Sequence, residues 1–534
     1  MKYLVTSALP YANAPLHLGH VLEIVQTDTW VRHKNLTEHE ALYFCASDTH
    51  GTPIMLKAKE LGIKPEELIN DLHTNHKNTF EKFNINLANF HSTHTAENQQ
   101  LTSDIFKSAQ EKDYIYKKNI SQLYDEIEGI FLADRFIKGS CPSCKQEEQY
   151  GDACEKCGTT YDALELIDPV SVLSGSKPII RESEHYFFKL NKLSEYLKSK
   201  VSEISNQSPI KSKLNEWLDK ELRDWDVSRD APYFGFTIPG EEEKYIYVWM
   251  DAPVGYLASI KHWAQSQKIN FTELMHEQDT KLVHFIGKDI VYFHLLFWPA
   301  MLKTAEIHNL EEVFVHGFLT IEGMKMSKSK GNFILADKAL DFADADYYRY
   351  YLTSKLNTDI SDIDFSVDDF IQKVNSDLIG KYINIASRTQ NFLVKLNDSK
   401  IVPNSLSKSN EFNDIYNNII AQIDTKEYSK ALKNIMMLAD KVNAYVSTEE
   451  PWNKAKQGNE ADCLKVCSEA LNVFKDLTIL MQSFIPGIAS KIFHMLNLGK
   501  LDYSDLNTDN ITTVQKFKPF IGRLEKNEFE EILD

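Results

Sequence analysis

Three groups of residues in this 534-residue chain are of types and spacings that could do chemistry. Near the N-terminus stands His17-Leu18-Gly19-His20. Its two imidazoles can donate to phosphate oxygens without a fixed full charge, and Gly19 lets backbone come close to a flat base. Far along the chain, Lys325-Met326-Ser327-Lys328-Ser329 lies between Gly323 and Gly331. Its two ammonium groups are mobile cations with which to meet negative charge developing on a polyphosphate. Between these strings, Cys141-Pro142-Ser143-Cys144 and Cys154-Glu155-Lys156-Cys157 give C-x2-C-x9-C-x2-C, with Gly151 and Gly158 available for tight turns. Four thiolates at this spacing suit tetrahedral zinc, and a full sulfur set leaves no open position for a catalytic water. A redox CxxC pair, or a knuckle that has lost its metal, is the alternative reading.

The surrounding elements must place these groups. Tyr3-Leu4-Val5-Thr6 is strand-like, and Val21, Ile24, Val25 and Trp30 have helical apolar spacing. The histidines therefore fall between a strand and a helix start, where backbone N–H groups and the helix dipole can receive phosphate. Across 1–113, strand-like runs such as Leu42-Tyr43-Phe44-Cys45 alternate with helical ones such as 65–83, the texture of a parallel α/β unit. Across 114–230 the texture changes to turns, cysteines, an amphipathic stretch at 193–201, and Trp217 and Trp225 among charges; this reads as an inserted module. The α/β texture returns over 231–335, with Tyr245-Ile246-Tyr247-Val248-Trp249 and Val283-His284-Phe285-Ile286 as strands and 290–302 as a buried helix. A connecting segment, 336–370, carries an acidic stretch. From 371 to 534 the period is helical: Tyr428, Ala431, Leu432, Ile435, Leu438, Ala439, Val442 and Tyr445 make one apolar face, with loops at 404–409 and 458–462. The expected architecture is a Rossmann-like, doubly wound α/β parallel sheet with a zinc-binding inserted module, followed by an all-α helix bundle.

Bulk properties narrow the function classes. The composition, 43% hydrophobic and 25% charged, is that of a globular chain and argues against disorder. A net charge of −18 excludes indiscriminate coating of nucleic acid but leaves room for a local basic path to RNA. The longest apolar run, 290–302, contains His294 and Pro299 and is too short to span a bilayer, so no membrane partner is expected. Pro10 interrupts the short apolar N-terminal stretch, and cleavage there would remove the histidine motif. Four of the seven cysteines cluster while Cys45, Cys463 and Cys467 are scattered, which suits a reducing cytoplasm.

The two strings together, in this order and with Ala8-Leu9-Pro10-Tyr11-Ala12-Asn13 before the first and Gly323-Met324 before the second, resemble the signatures of class I aminoacyl-tRNA synthetases, the methionyl family in particular. The similarity runs through almost the whole chain. It implies activation of L-methionine by ATP, with Mg2+ accompanying the nucleotide, and transfer to methionine tRNA. A carboxylate is already ionised at neutral pH, so such a reaction needs no general base, and positioning plus charge stabilisation suffices. By resemblance His17 and His20 contact phosphates, Lys325 and Lys328 neutralise departing pyrophosphate, and Gly19, Gly287 and Asp289 hold the adenosine, Asp289 through a ribose hydroxyl. Position by position, Leu9, Tyr11, Trp249, Ala252, Pro253, Tyr256, Phe293, His294 and Trp298 are nominated for the methionine side chain, and Asp48 for its ammonium. Asn384 and Arg388 match positions that read the CAU anticodon, and Trp452, after Pro451, matches a ring on which an anticodon base stacks. The resemblance also makes the zinc structural, bracing the inserted module. Many relatives continue into an oligonucleotide-binding domain that dimerises them; this chain stops at Asp534, so a monomer is expected.

Plainer readings compete. Aromatics in Val248-Trp249 and Phe297-Trp298, and a lone His294 on an apolar helix, are by type more often core, and a polar face bearing Lys381, Asn384 and Arg388 is ordinarily only solvated. Enzymes for isoleucine, valine or leucine carry a large editing insertion, for which 114–230 is too small. A cysteine enzyme would hold a metal by Trp249, where no cysteine–histidine set is evident. A non-catalytic tRNA-binding relative would keep the fold and lose the histidines and lysines that this chain retains.

Overall fold

The structure is a computed structural model that describes residues 1–534 except 134, 135, 152, 153, 155, 158, 160, 308, 327–332, 518, 520, 530, 531, 533 and 534, and Lys325 by its backbone alone. Five parallel strands form the central sheet: β1 (Lys2–Ser7), β2 (Glu40–Ser47), β3 (Asn89–Ser92), β4 (Thr280–Gly287) and β5 (Leu310–His316). Their order is β5-β4-β1-β2-β3, with Leu4 of β1 facing Leu42 of β2 and Leu282 of β4. In β1 every residue from Tyr3 to Ser7 is buried, as expected of a strand covered by helices on both faces. The chain winds outward from β1 in one direction through β2 and β3, and in the other through β4 and β5. The sheet therefore reverses between β1 and β4, and the carboxyl ends of those two strands open the crevice where such sheets bind ligands.

Between β3 and β4 lies the inserted module. Ile115–Asp125 and Ile179–Phe188 form a long antiparallel pair, extended by Ile130–Phe131 and Trp225–Asp226. A second, three-stranded sheet of Gln149–Tyr150, Ile137–Ser140 and Ile167–Ser171 stands beside the cysteines. The C-terminal part is helical. Tyr428–Glu449 buries the expected face from Tyr428 to Val442, with Val446 buried and Tyr445 half-buried at its end, and Glu460–Met481 lies buried along most of its length. The fully buried guanidinium of Arg349 fastens the two regions together: it bonds Asp28 of α1 (Leu18–Asn35) at 2.7 Å and the carbonyls of Phe83, Ser483 and Phe484.

Several sequence expectations change. The strand expected through Trp249 stops at Ile246, and Val248–Asp251 is a helical turn. Its short partner, Ser228–Asp230, ends the ladder there, so tertiary pairing overrides the β-favouring composition. The segment 290–302 is not one continuous α-helix: Phe293–Phe297 is wound as a π-helix before the α-helix Trp298–Thr304, whose first turn holds Pro299. Proline has no N–H to give to the preceding turn, and the wider winding accommodates that loss. Val374–Ile383 is likewise π-wound, so Lys381 precedes the α-helix Asn384–Leu396 that carries Asn384 and Arg388. A short helix, Ser407–Asn410, stands in the expected loop at 404–409, and the helix Glu460–Met481 starts within 458–462.

Candidate functional site

The histidine string builds a cap for α1 out of its own side chains. His17 is the N-cap: its Nδ1 accepts from the Gly19 N–H at 3.0 Å, while His20 Nδ1 accepts from the His17 N–H at 3.1 Å. Two imidazoles thus do what serine and glutamate do in an ordinary capping box. Because each Nδ1 accepts, each ring carries its proton on Nε2, the nitrogen with which it can donate to a phosphate oxygen. Burial and the neighbouring His17 ring, 3.8 Å away centre to centre, hold His20 well below the usual imidazole value, so it is neutral. Gly19 is required for space: a Cβ there would come within 2.9 Å of the His17 ring and 2.7 Å of Met326.

A cavity of about 470 Å³ opens at the sheet reversal, lined by His17, Gly19, His20, Gly287, Asp289, Met326 and Phe333 among others. Asp289 reaches back over the strand end, where a Cβ on Gly287 would lie 2.7 Å from its carboxylate. Among the lining residues not singled out from sequence, two are ionisable, Glu23 and His316. His316 Nε2 lies 3.0 Å from Glu23 Oε2 and its Nδ1 lies 2.7 Å from the Gly317 carbonyl. With an acceptor at each nitrogen, burial would lower the ring's value but the Glu23 bond leaves it raised, and burial raises Glu23 in turn. The signal available in sequence was the helical offset of Glu23 from His20, which places a carboxylate one turn into α1.

Asp48 follows the end of β2 and pairs as an isolated bridge with Tyr11. Its Oδ1 is buried without a hydrogen-bond partner, and burial together with the nearby Asp251 pushes its carboxyl well above the ordinary range. An orphaned buried acceptor of this kind is completed by a cation. Asp251 accepts from His50 Nδ1 at 2.5 Å, and His50 Nε2 faces His94 Nδ1 at 2.9 Å. Of the residues nominated for the methionine side chain, Leu9 and Tyr11 line the cavity. Tyr256, Phe293, His294 and Trp298 form a buried layer, with Tyr256 Oη 2.9 Å from His294 Nε2. Trp298 is fully enclosed and donates its indole N–H to His284 at 2.9 Å, so it lies in core packing beside Tyr256. Trp249 is 42% exposed, stacking on Tyr247 and meeting Phe293 edge-on. Ala252 and Pro253 follow it at the start of the helix Val254–Ser266. Trp225, read only as part of the insertion, joins this aromatic group against Trp249, Phe293 and Phe297. Lys328 and the Lys325 side chain lie outside the described residues.

Residues 3–390 match the family described as tRNA synthetases class I (M), and residues 401–533 match the anticodon binding domain of methionyl tRNA ligase. The chain belongs to the methionyl-tRNA synthetases of class I. A protein of Francisella tularensis subsp. tularensis named methionine–tRNA ligase is 45% identical to it, over 100% of this chain and 80% of that protein. Two structures of Mycobacterium tuberculosis methionyl-tRNA synthetase share the fold. One, in complex with methionyl-adenylate, is 22% identical with a TM-score of 0.80, covering 98% of this chain and 99% of that one. The other, an apo form, is 21% identical with a TM-score of 0.72 and 98% coverage of each.

Two further groups of the nominated residues stand apart from the cavity. In the knuckle, Cys141 and Cys157 Sγ lie 3.8 Å apart and Cys144 and Cys154 Sγ 3.6 Å, and all four sulfurs lie within 4.8 Å of one another. Four sulfurs at zinc-bond distance round a tetrahedral ion stand about 3.8 Å apart, so the donor set fits zinc. Backbone N–H groups of Cys144 and Cys157 point at Cys141 and Cys154 Sγ, bonds of the kind that favour a ligating thiolate. The residue after Cys144, Lys145, takes a left-handed φ of 63° and turns the chain there; Gly158 lies outside the described residues.

In the bundle, Arg388 donates to Ser447 Oγ at 2.8 Å and to the Asn443 carbonyl at 3.1 Å, with its guanidinium 5.3 Å from the Trp452 ring centre. Asn384 donates to Asn443 Oδ1 at 3.1 Å. The three nominated residues therefore form one surface group, organised by Asn443, which sequence reasoning missed. Trp452 is half-buried in the short helix Pro451–Lys456.

Proposed function

We propose that this chain activates L-methionine with ATP to methionyl-adenylate and diphosphate, and transfers the methionyl group to the 3′ end of methionine tRNA with release of AMP. The methionine carboxylate attacks the α-phosphorus and the bond to the pyrophosphate oxygen breaks. No protein base is needed, so the work of the residues is to orient and to balance charge. His17 and His20 donate through Nε2 to phosphate oxygens, Gly287 and Asp289 hold the ribose, and Glu23, steadied by His316, closes the adenosine side of the cavity. Asp48 receives the methionine ammonium; Leu9, Tyr11, Trp249, Ala252, Pro253, Tyr256, Phe293 and His294 surround its side chain, with Trp298 backing Tyr256. Lys325 and Lys328 neutralise the departing pyrophosphate, and Mg2+ bound with ATP supplies further charge to the phosphates. Zn2+ on Cys141, Cys144, Cys154 and Cys157 braces the insertion, and a reducing cytoplasm keeps those thiols available. No described helix is long and apolar enough to cross a membrane. The working division is 1–113 and 231–335 for the catalytic fold, 114–230 for the insertion, 336–370 as connector and 371–534 for the bundle that reads the anticodon through Asn384, Arg388 and Trp452.

The observation that carries this reading is the unpartnered Oδ1 of Asp48 near a strand end of the sheet whose reversal is flanked by His17 and His20, in a chain 45% identical to a methionine–tRNA ligase. ATP–pyrophosphate exchange tests it. Exchange should require methionine and should not respond to isoleucine, valine or leucine; exchange with one of those alone would overturn the assignment.

A further inference from the structure

We propose that His91, Glu97 and His262 form a second metal site, taking a divalent ion of the zinc class, separate from the four-cysteine knuckle. The three residues come from three elements. His91 lies on β3, the edge strand of the central sheet; Glu97 is in the first turn of the helix Ala96–Glu111; His262 is on the helix Val254–Ser266. Their donor atoms lie within 4.8 Å of one another. His262 Nδ1 stands 3.3 Å from Glu97 Oε1, and His91 Nε2 stands 3.8 Å from Glu97 Oε2. Ligands at zinc-bond distance round a tetrahedral ion are about 3.3 Å apart, close to the two separations from Glu97.

Two observations distinguish this cluster from an ordinary surface ion pair. Glu97 alone is explained by its place in the first turn of a helix, where a carboxylate meets the positive end of the dipole, and His262 alone by pairing with it. Neither explains His91. Its Nε2 is shielded from water and makes no hydrogen bond, which is costly for a ring nitrogen unless something else completes it. The His91 and His262 rings also lie nearly parallel, 24° apart with centres 4.6 Å distant, so both imidazoles are presented side by side to the one carboxylate. Two imidazoles and a carboxylate are the donor set of an open zinc site, with a water completing the shell.

The place of the site gives it a consequence. Three residues after His91, His94 meets His50, which holds Asp251; the helix carrying His262 begins shortly after Asp251. An ion here would tie the sheet edge to both helices behind the Asp48 and Asp251 carboxylates and would stiffen that wall.

Cobalt titration of the full chain, with the knuckle first loaded with zinc, is the test. A second ion per chain is expected, with visible d–d absorption but no sulfur-to-metal charge transfer, since no thiolate takes part. His262→Ala removes a half-exposed side chain and should leave the fold intact, yet weaken this second binding at least about tenfold. His91→Ala should do the same, and added zinc should raise the melting temperature of the wild type and not of His262→Ala. A wild type that binds only the knuckle ion, or a second ion that survives His262→Ala unchanged, would overturn the proposal.

Discussion

Asp48 shows how a single residue can be poor for stability and right for binding. Its Oδ1 is buried and unpartnered, and Asp251 stands close enough to raise it further. Asp48→Asn removes the cost of ionising a buried carboxyl beside Asp251, so the empty protein should melt no lower than wild type. The same change removes the partner proposed for the substrate ammonium. A charged hydrogen bond contributes roughly 1.5–3 kcal/mol, so the methionine KM should rise about ten- to a hundredfold while ATP affinity holds. Steady-state exchange kinetics with each substrate varied, alongside a melting curve, checks both halves. Lys328 is expected to act at a different moment. Its charge matters as pyrophosphate leaves, so Lys328→Ala should slow adenylate formation by about 2–4 kcal/mol of barrier and spare methionine binding. Pre-steady-state adenylate formation separates this from a loss of ground-state ATP affinity, which would contradict it.

Among the elements, the inserted module carries a pH window of its own. His185 offers Nδ1 to Asp226 at 2.8 Å and Nε2 to Asp230 at 2.9 Å, and Lys244 also bonds Asp230. Burial would raise Asp230, but the bonds from His185, Lys244 and Ser183 bring it down to about 2. Burial would lower His185, but its two carboxylate partners leave it raised. A depressed carboxyl stabilises above its ordinary value and loses that contribution as pH falls toward 2; a raised imidazole stabilises below about 6.5 and loses it as pH rises through its folded value. The long strand Ile179–Phe188 should therefore be best protected from hydrogen exchange between about pH 4 and 6.5. His185→Asn should remove the loss on the alkaline side, and a variant with the wild-type profile would refute the argument. The knuckle is the other fixed point of this module. Cys154→Ser, or a strong chelator, should loosen strands 137–171 and lower activity indirectly, because a full sulfur set has no catalytic position. Metal analysis of the untreated protein should find zinc at the knuckle, and an active preparation without any would refute its structural role.

At the scale of the whole molecule, the central sheet and the helix bundle are fastened through Arg349, so the cavity at the sheet reversal and the region that matches the anticodon binding domain are held in one frame. Trp452 tests what the far end does. Stacking of one base on an aromatic ring is worth roughly 1–3 kcal/mol, so Trp452→Ala should weaken aminoacylation of methionine tRNA by about one to two orders of magnitude. Methionine-dependent exchange needs no tRNA and should hardly change. Trp452 also packs on the bundle core and under Arg388, so a fall in melting temperature with both activities lost together would make it a packing residue instead.

The sequence alone determined what depends on local spacing. The CxxC pairs, the strand-turn-helix round His17, the alternation of β and α texture and the 3.6-residue face from Tyr428 are all written within a few residues of one another, where period and residue type suffice. The resemblance carried by two short strings added the class of chemistry. What only the tertiary structure decided depends on residues far apart in the chain. Trp225 reaches the aromatic group from the insertion, Asn443 organises Asn384 and Arg388 from another helix, and His316 steadies Glu23 from the opposite half of the sheet. The same cause set the errors: Tyr247-Val248-Trp249 has strand composition, but its ladder partner runs out, and the turn places Trp249 on the surface. Spacing constrains a backbone, whereas burial and pairing are fixed by whichever distant segment arrives, and no local pattern records that.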